Sequence, residues 1–194
     1  MKVLIAGGSG FLGTALRTSL VQDGHDVYIL TRRPSRGPSE IQWDGKTPNG
    51  WGHLVNDMDA VVNLTGLGLE HWPWTQKQKQ KFVDSRVLPG LALASAIENA
   101  PRRPRVFLQT SGINRYGLRG EGRADESTPP AADFLAQLTV KWEEATKSVE
   151  ELGVRRVIAR NAVVLARNDG LFPLMALAPR FFFGGKFGDG KQAM

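Results

Sequence analysis

The sequence predicts an α/β fold, a doubly wound parallel sheet with helices on both faces, and three observations predict it. Short apolar runs alternate with segments of helical period along most of the chain. The first such unit, from "KVLIAG" to "DVYILT", fits a strand, a helix and a second strand into about thirty residues. A glycine-rich turn, "GGSGFLG", separates that first strand from its helix. Two strands joined through a helix must run parallel, and repeated βα units cover both faces of such a sheet.

The elements follow in order. "KVLIAG" (Lys2 to Gly7) is a short apolar strand bounded by glycine. From Gly10 the residues Phe11, Leu12, Ala15, Leu16, Leu20 and Val21 recur at helical spacing, and "DGH" (Asp23 to His25) closes that helix. "DVYILT" is the second strand. "EIQW" (Glu40 to Trp43) reads as a short strand before the turn-rich "DGKTPNGWG", and "DAVVNLTG" (Asp59 to Gly66) as a buried one. A long helical region runs from about Thr75 to Asn99, interrupted by Pro89 and Gly90. "RVFLQTS" (Arg105 to Ser111) is a further strand. "GINRYGLRGEGRADESTPPA" has the length of loop usually reserved for function. Asp133 then caps a helix reaching about Leu152, and "VRRVIARNAVVL" from Val154 is the next strand.

Composition narrows the class. The 194 residues, 41% hydrophobic and 23% charged, suit a soluble globular domain with a sizeable core. There is no cysteine, which excludes disulfides and thiolate sites and fits a cytoplasmic location. No apolar run approaches the ~20 residues of a membrane span, so no membrane partner is expected. Glycines break the N-terminal apolar patch, which reads as a strand and not a signal peptide. The net charge of +6 is scattered, without zinc-finger spacing or an aromatic RNA-binding signature. Nucleic acid is therefore not expected as a partner, whereas phosphates on a small molecule account for part of the charge bias. His25, His53 and His71 stand apart from metal-ligand spacing, so no metal site is expected. The lysines of "WPWTQKQKQKF" read as one solvated helix face.

The glycine turn satisfies Gly8-x-Gly10-x-x-Gly13 and also Gly7-x-x-Gly10-x-x-Gly13. Such glycines permit a tight turn, close backbone approach to a pyrophosphate and close packing of helix on strand. The helix that opens there presents unpaired amides and a positive dipole end to phosphates. In a dinucleotide fold, an acid at the end of the second strand bonds the ribose 2′-hydroxyl. This chain has Thr31, Arg32 and Arg33 there instead. A guanidinium pairs with a 2′-phosphate, so the strand tip fits NADP(H). The plainer alternative is a pair of solvated loop arginines. Leu64, Thr65 and Gly66 end a neighbouring strand and open on the same crevice if the sheet is parallel.

Together "GGSGFLG", "LTRRP", "IQWDG", "DAVVNLTG", "DSRV", "TSGINRYG", "DFLAQLTVKWEEA", "ARNAVVLAR" and "FGGKFGDGKQ" resemble the extended short-chain dehydrogenase/reductases, in particular their atypical epimerase-family group. The resemblance implies a Rossmann domain binding NADP(H), with Gly7, Ser9, Gly10, Phe11, Leu12, Gly13, Thr31, Arg32, Leu64 and Thr65 near the cofactor. Arg86, in "DSRV", stands where many relatives have an asparagine facing the cofactor. It either reaches the pyrophosphate or adenine, or is an exposed helix charge. Arg160, closing "VRRVIAR", is a candidate of the same kind.

The catalytic pattern departs from the family. Its usual Tyr and Lys, four apart on a helix, let the lysine charge ease proton exchange at the phenol. Only Tyr28 and Tyr116 exist here, followed four residues on by Arg32 and Gly120. Four residues before Lys141 stands Gln137, whose amide cannot donate a proton at neutral pH. The remaining candidates are Ser111, Tyr116 and Lys141, with Tyr116 open to the alternative of a loop aromatic packed on a ligand. Relatives continue past "GDGKQ" into a smaller substrate domain, which this chain is expected to lack. The expected organisation is an NADP(H)-binding domain over residues 1–170, then an apolar segment, 171–194, leading into that region. If exposed, Leu171 to Gly185 would invite self-association. The resemblance implies an oxidoreductase or epimerase acting on a small carbonyl or hydroxyl substrate, sugars included. The alternative is a protein that binds NADP(H) as a sensor or scaffold without turnover.

Overall fold

A computed structural model describes residues 1–117, 122–167, 169–170, 172–181 and 184–185. Its centre is a six-stranded sheet built from β1 (Lys2–Ala6), β2 (Asp26–Thr31), β3 (Glu40–Gln42), β4 (Ala60–Asn63), β5 (Val106–Gly112) and β6 (Arg155–Asn161). Their order across the sheet is β3-β2-β1-β4-β5-β6. β1 pairs in parallel with β2 on one side and β4 on the other, with Ile5 beside Ile29 and Val62. Strand order therefore reverses between β1 and β4, and a crevice opens at their C-terminal ends.

Strand periodicity builds the core. Val3 and Ile5 point to one face, where they meet Val27, Ile29 and Val62 beneath Leu16 and Leu20 of α1 (Phe11–Gln22). Leu4 and Ala6 point to the other, against Leu30, Val61, Phe107 and the apolar face of α2 (Gln76–Glu98). Full burial of side chains such as Leu4, Ile5 and Leu93 is worth about 2 kcal/mol each.

Three departures from the sequence reading have local causes. α2 runs unbroken through Pro89 and Gly90. Proline withholds an amide from the Ser85 carbonyl, but buried Phe82 and Arg86 before it and Leu93 and Ile97 after it hold one axis. Gly90 sits where a Cβ would lie 3.1 Å from the Ala145 methyl, so the helix passes close there. The helix capped by Asp133 ends early: α3 spans Phe134–Glu144, and a separate turn, α4, covers Ser148–Glu151. The Glu143 carbonyl accepts from the Arg156 Nη1 at 2.8 Å and the Thr146 hydroxyl at 3.3 Å, two side chains competing for a helix acceptor. "DAVVNLTG" forms a strand only through Asn63, whose side chain turns back to bind Thr65.

Asp133 caps α3 by accepting from the amides of Leu135 at 2.9 Å and Ala136 at 3.1 Å. Asp133→Ala is expected to cost about 1 kcal/mol, read as a lower urea midpoint with unchanged slope.

The chain divides into two compact units, Met1–Arg160 and Asn161–Met194. The second contains an antiparallel pair, β7 (Leu165–Ala166) with β8 (Asp169–Gly170), and α5 (Phe172–Arg180). Within the expected self-association segment, Leu171, Phe182 and Phe183 lie outside the described residues, as do residues 118–121 of the long loop and 186–194. Among the described residues no helix is long and apolar enough to cross a membrane, and no cluster of His, Asp and Glu is fit to hold a metal.

Candidate functional site

A cleft of about 750 Å³ opens at the strand-order reversal. Its floor is the glycine turn, contributing Gly7, Ser9 and Gly10. Gly7 adopts φ +82°, in the left-handed region that glycine tolerates. A side chain there would also press on the Leu64 carbonyl at 2.9 Å, so the two strand ends approach as closely as backbone allows. A Cβ on Gly13 would collide with the Gly7 carbonyl oxygen and Gly8, which explains how α1 docks directly on the turn. The N-cap of α1 is Gly10, which offers no side-chain acceptor. The first-turn amides of Phe11, Leu12 and Gly13 are thus left for an anion, backed by the helix dipole.

One wall is the tip of β2. Thr31 is buried, and its hydroxyl accepts from the Arg33 amide at 3.2 Å, folding the chain into the cleft. Arg32 and Arg33 are exposed and line the cleft, and neither guanidinium has a hydrogen-bond or ion-pair partner among the described residues. They face the cleft as uncommitted cations.

Leu64, Thr65 and Gly66 form the opposite side of the crevice. Their course is fixed by a buried amide ladder. Asn63 donates to Gln109 Oε1 at 2.9 Å, and its own Oδ1 accepts from the Thr65 amide at 3.1 Å and hydroxyl at 2.6 Å. Ser85 of α2 accepts from the Leu67 amide at 3.0 Å and ties the next turn to that helix.

Arg86 is 7% exposed, which excludes the exposed-charge alternative. Its guanidinium lies over the Trp142 ring at 4.9 Å and donates to the Phe82 carbonyl at 3.2 Å. Among the described residues no carboxylate lies within salt-bridge distance of it. Burial lowers its pKa to about 10, against a weak opposing pull from Glu70, so it stays charged at neutral pH. Its Cζ lies 3.3 Å from the Cβ position of Gly66 on the cleft wall. A buried cation with no ion-pair partner among the described residues, one glycine away from a cleft, suits an anionic ligand.

Two of the three catalytic candidates, Ser111 and Tyr116, join a second constellation. Ser111, buried at the end of β5, donates to Glu143 Oε1 at 2.7 Å. Arg160 grips the same carboxylate from β6, Nε to Oε1 at 2.9 Å and Nη2 to Oε2 at 3.0 Å. Its Nη1 donates to the Tyr116 hydroxyl at 2.9 Å, and Arg115 pairs with Glu143 Oε2 at 3.3 Å. Burial pushes the Glu143 carboxyl up, but the bonds from Arg160 and Ser111 and the charges of Arg160 and Arg115 outweigh it, and the net pKa is lowered. The Arg160 pKa is raised by the same carboxylate. Ser111, Tyr116 and Arg160 are therefore brought together, and Arg160 is engaged by Glu143 and stands apart from the residues that line the cleft. Lys141 is exposed on the last turn of α3, and its side chain bonds to neither group among the described residues.

Sequence reasoning missed Glu143 and the stretch Trp43 to Lys46, which also lines the cleft. Glu143 had a readable signal. It falls on the helical stripe of Ala136, Thr139 and Thr146, where a carboxylate needs a buried partner.

Residues 3–170 match the NAD dependent epimerase/dehydratase family. An epimerase family protein of Mycobacterium tuberculosis (strain CDC 1551 / Oshkosh) is 34% identical over 192 residues, which cover 99% of this chain and 63% of that protein. The human epimerase family protein SDR39U1 (isoform 2), solved with NADPH, superposes with a TM-score of 0.84 at 33% identity, covering 99% of this chain and 64% of that one. A nucleoside-diphosphate sugar epimerase from Corynebacterium glutamicum gives 0.82 at 31% identity, covering 98% of this chain and 39% of that one. The chain thus spans less than two thirds of the length of these relatives.

Proposed function

The chain belongs to the NAD dependent epimerase/dehydratase family, and from that premise we propose that it holds NADP(H) and serves an oxidoreductase or epimerase acting on a small carbonyl or hydroxyl substrate. The observation that carries this reading is the pair of uncommitted guanidiniums, Arg32 and Arg33, on the wall where an NAD-selective protein needs an acid. The glycine turn and the uncapped first turn of α1 would hold the pyrophosphate. Arg86 would add a cation behind Gly66. NADPH in the human relative supports the same choice. When bound, the cofactor supplies a hydride donor or acceptor.

The protein's own contribution to proton movement rests on Ser111 and Tyr116. Ser111 donates its hydrogen bond to the Glu143 carboxylate, so its lone pairs are left to accept from a substrate hydroxyl. Tyr116 receives from Arg160 at its hydroxyl oxygen, which places the phenol beside Ser111 and Glu143 as the candidate proton donor.

A second reading, NADP(H) binding without turnover, is favoured by one observation. Gln137 stands four before Lys141, and its amide bonds the Ala131 carbonyl on the loop side of α3. Assays of NADPH oxidation against a panel of carbonyl compounds separate the two. The enzyme reading expects turnover, reduced at least about a hundredfold by Tyr116→Phe if that phenol is the proton donor. Tight NADPH binding with no turnover on any compound, in a full-length version, would favour the sensor.

A further inference from the structure

Resting on the reading of the cleft as an NADP(H) site, we infer that Lys46 is a further specificity-determining residue, a third cation for the adenosine 2′-phosphate presented beside Arg32 and Arg33 by a pinned turn. Trp43, Asp44, Gly45 and Lys46 line the same cleft as the two arginines. The turn is anchored at both ends. The Trp43 amide donates to the Thr31 carbonyl at 3.0 Å, which ties it to the tip of β2. Trp51 Nε1 donates to the Thr47 carbonyl at 2.8 Å, and the fully buried Trp51 ring packs edge-on against Trp43.

The charge of Asp44 opposes a phosphate, and three donors within the turn offset it. Its Oδ1 accepts the amides of Lys46 at 2.7 Å and Thr47 at 2.8 Å, and its Oδ2 accepts the Thr47 hydroxyl at 2.8 Å. These donors, the Thr47 and Lys46 amides first, hold its carboxyl below the usual range. The one acid in this turn is used to shape it, and the shaping sets the backbone of Lys46.

Lys46 itself is exposed, and its ammonium has no hydrogen-bond or ion-pair partner among the described residues. The aliphatic stem of Arg32 crosses the residue before it, with Cδ 3.6 Å from the Cβ position of Gly45. Three cations thus border one part of the cleft, and among the described residues none of them forms an ion pair with a carboxylate. A phosphomonoester carries nearly two negative charges at neutral pH. One planar guanidinium matches two of its oxygens, and an ammonium adds a compact charge without a demanding geometry. Fixing the lysine's backbone beforehand lowers the ordering cost of using it.

Calorimetric titration with 2′,5′-ADP and with 5′-AMP isolates this contribution without turnover. Lys46→Ala is expected to weaken 2′,5′-ADP about tenfold while leaving 5′-AMP unchanged, and Lys46→Arg to keep the preference. If Lys46→Ala binds 2′,5′-ADP as the parent does while Arg32→Ala loses affinity, the role of Lys46 is overturned and the NADP(H) reading stands. Equal weakening of both nucleotides by Lys46→Ala overturns the specificity role as well. A parent protein that binds 2′,5′-ADP no tighter than 5′-AMP removes the NADP(H) reading itself.

Discussion

Glu143→Ala is expected to destabilise the chain by about 3 kcal/mol, because it leaves two arginines packed together without an anion. The Glu143 side chain is 9% exposed and that of Arg160 17%, so water screens the exposed edge only. Four contacts converge on this carboxylate, from Ser111, from Nε and Nη2 of Arg160 and from Arg115. Glu143→Gln keeps the volume and an acceptor for Ser111 but removes the charge, and about 2 kcal/mol is expected to be lost. The sign of the pH dependence follows from the lowered carboxyl. Its folded pKa lies below its ordinary value of 4.5. The contribution is therefore complete above that value and disappears as pH falls through the folded pKa. Urea midpoints of parent and Glu143→Gln should differ at neutral pH and converge in acid. A gap that persists unchanged in acid would mean that packing, and not the ion pair, accounts for the loss.

Arg32→Ala is expected to weaken NADPH by one to two orders of magnitude, about 2 kcal/mol, and to leave NADH within about twofold. Arg32 is exposed and has no hydrogen-bond or ion-pair partner among the described residues, so its removal strands no buried partner there. Stability should stay within about 0.5 kcal/mol of the parent. A binding loss without a stability loss separates a ligand contact from a structural one. Parallel loss of both dinucleotides would show instead that Arg32 acts on a part common to them, such as the pyrophosphate.

Local sequence carried much of the cleft lining and left the rest unread, for a physical reason. The glycine turn, the arginines after β2 and the strand end at Leu64 are each short stretches whose chemistry depends on neighbours in sequence, and all three line the cleft. The Rossmann sheet was legible for the same reason, since β1, α1 and β2 are bounded by their own turn residues. Pairings across the fold were not. Arg160 reads as a strand-end cation, but its partners lie 17 and 44 residues away, at Glu143 and Tyr116. The end of α3 depends on Arg156, 13 residues beyond Glu143, and no propensity within the helix announces it. Continuation of α2 through Pro89 likewise rests on burial of Phe82 and Leu93 against the sheet. Lys46 was hidden because its relation to Arg32 runs through the turn at Gly45.

The most direct measurement is a calorimetric titration of the protein with NADPH and NADH under identical low-salt conditions. A cleft floored by unpaired helix amides and edged by Arg32 and Arg33 should bind NADPH at least about tenfold more tightly. Equal affinities, or no heat with NADPH from well-folded protein, would contradict that account of the cleft.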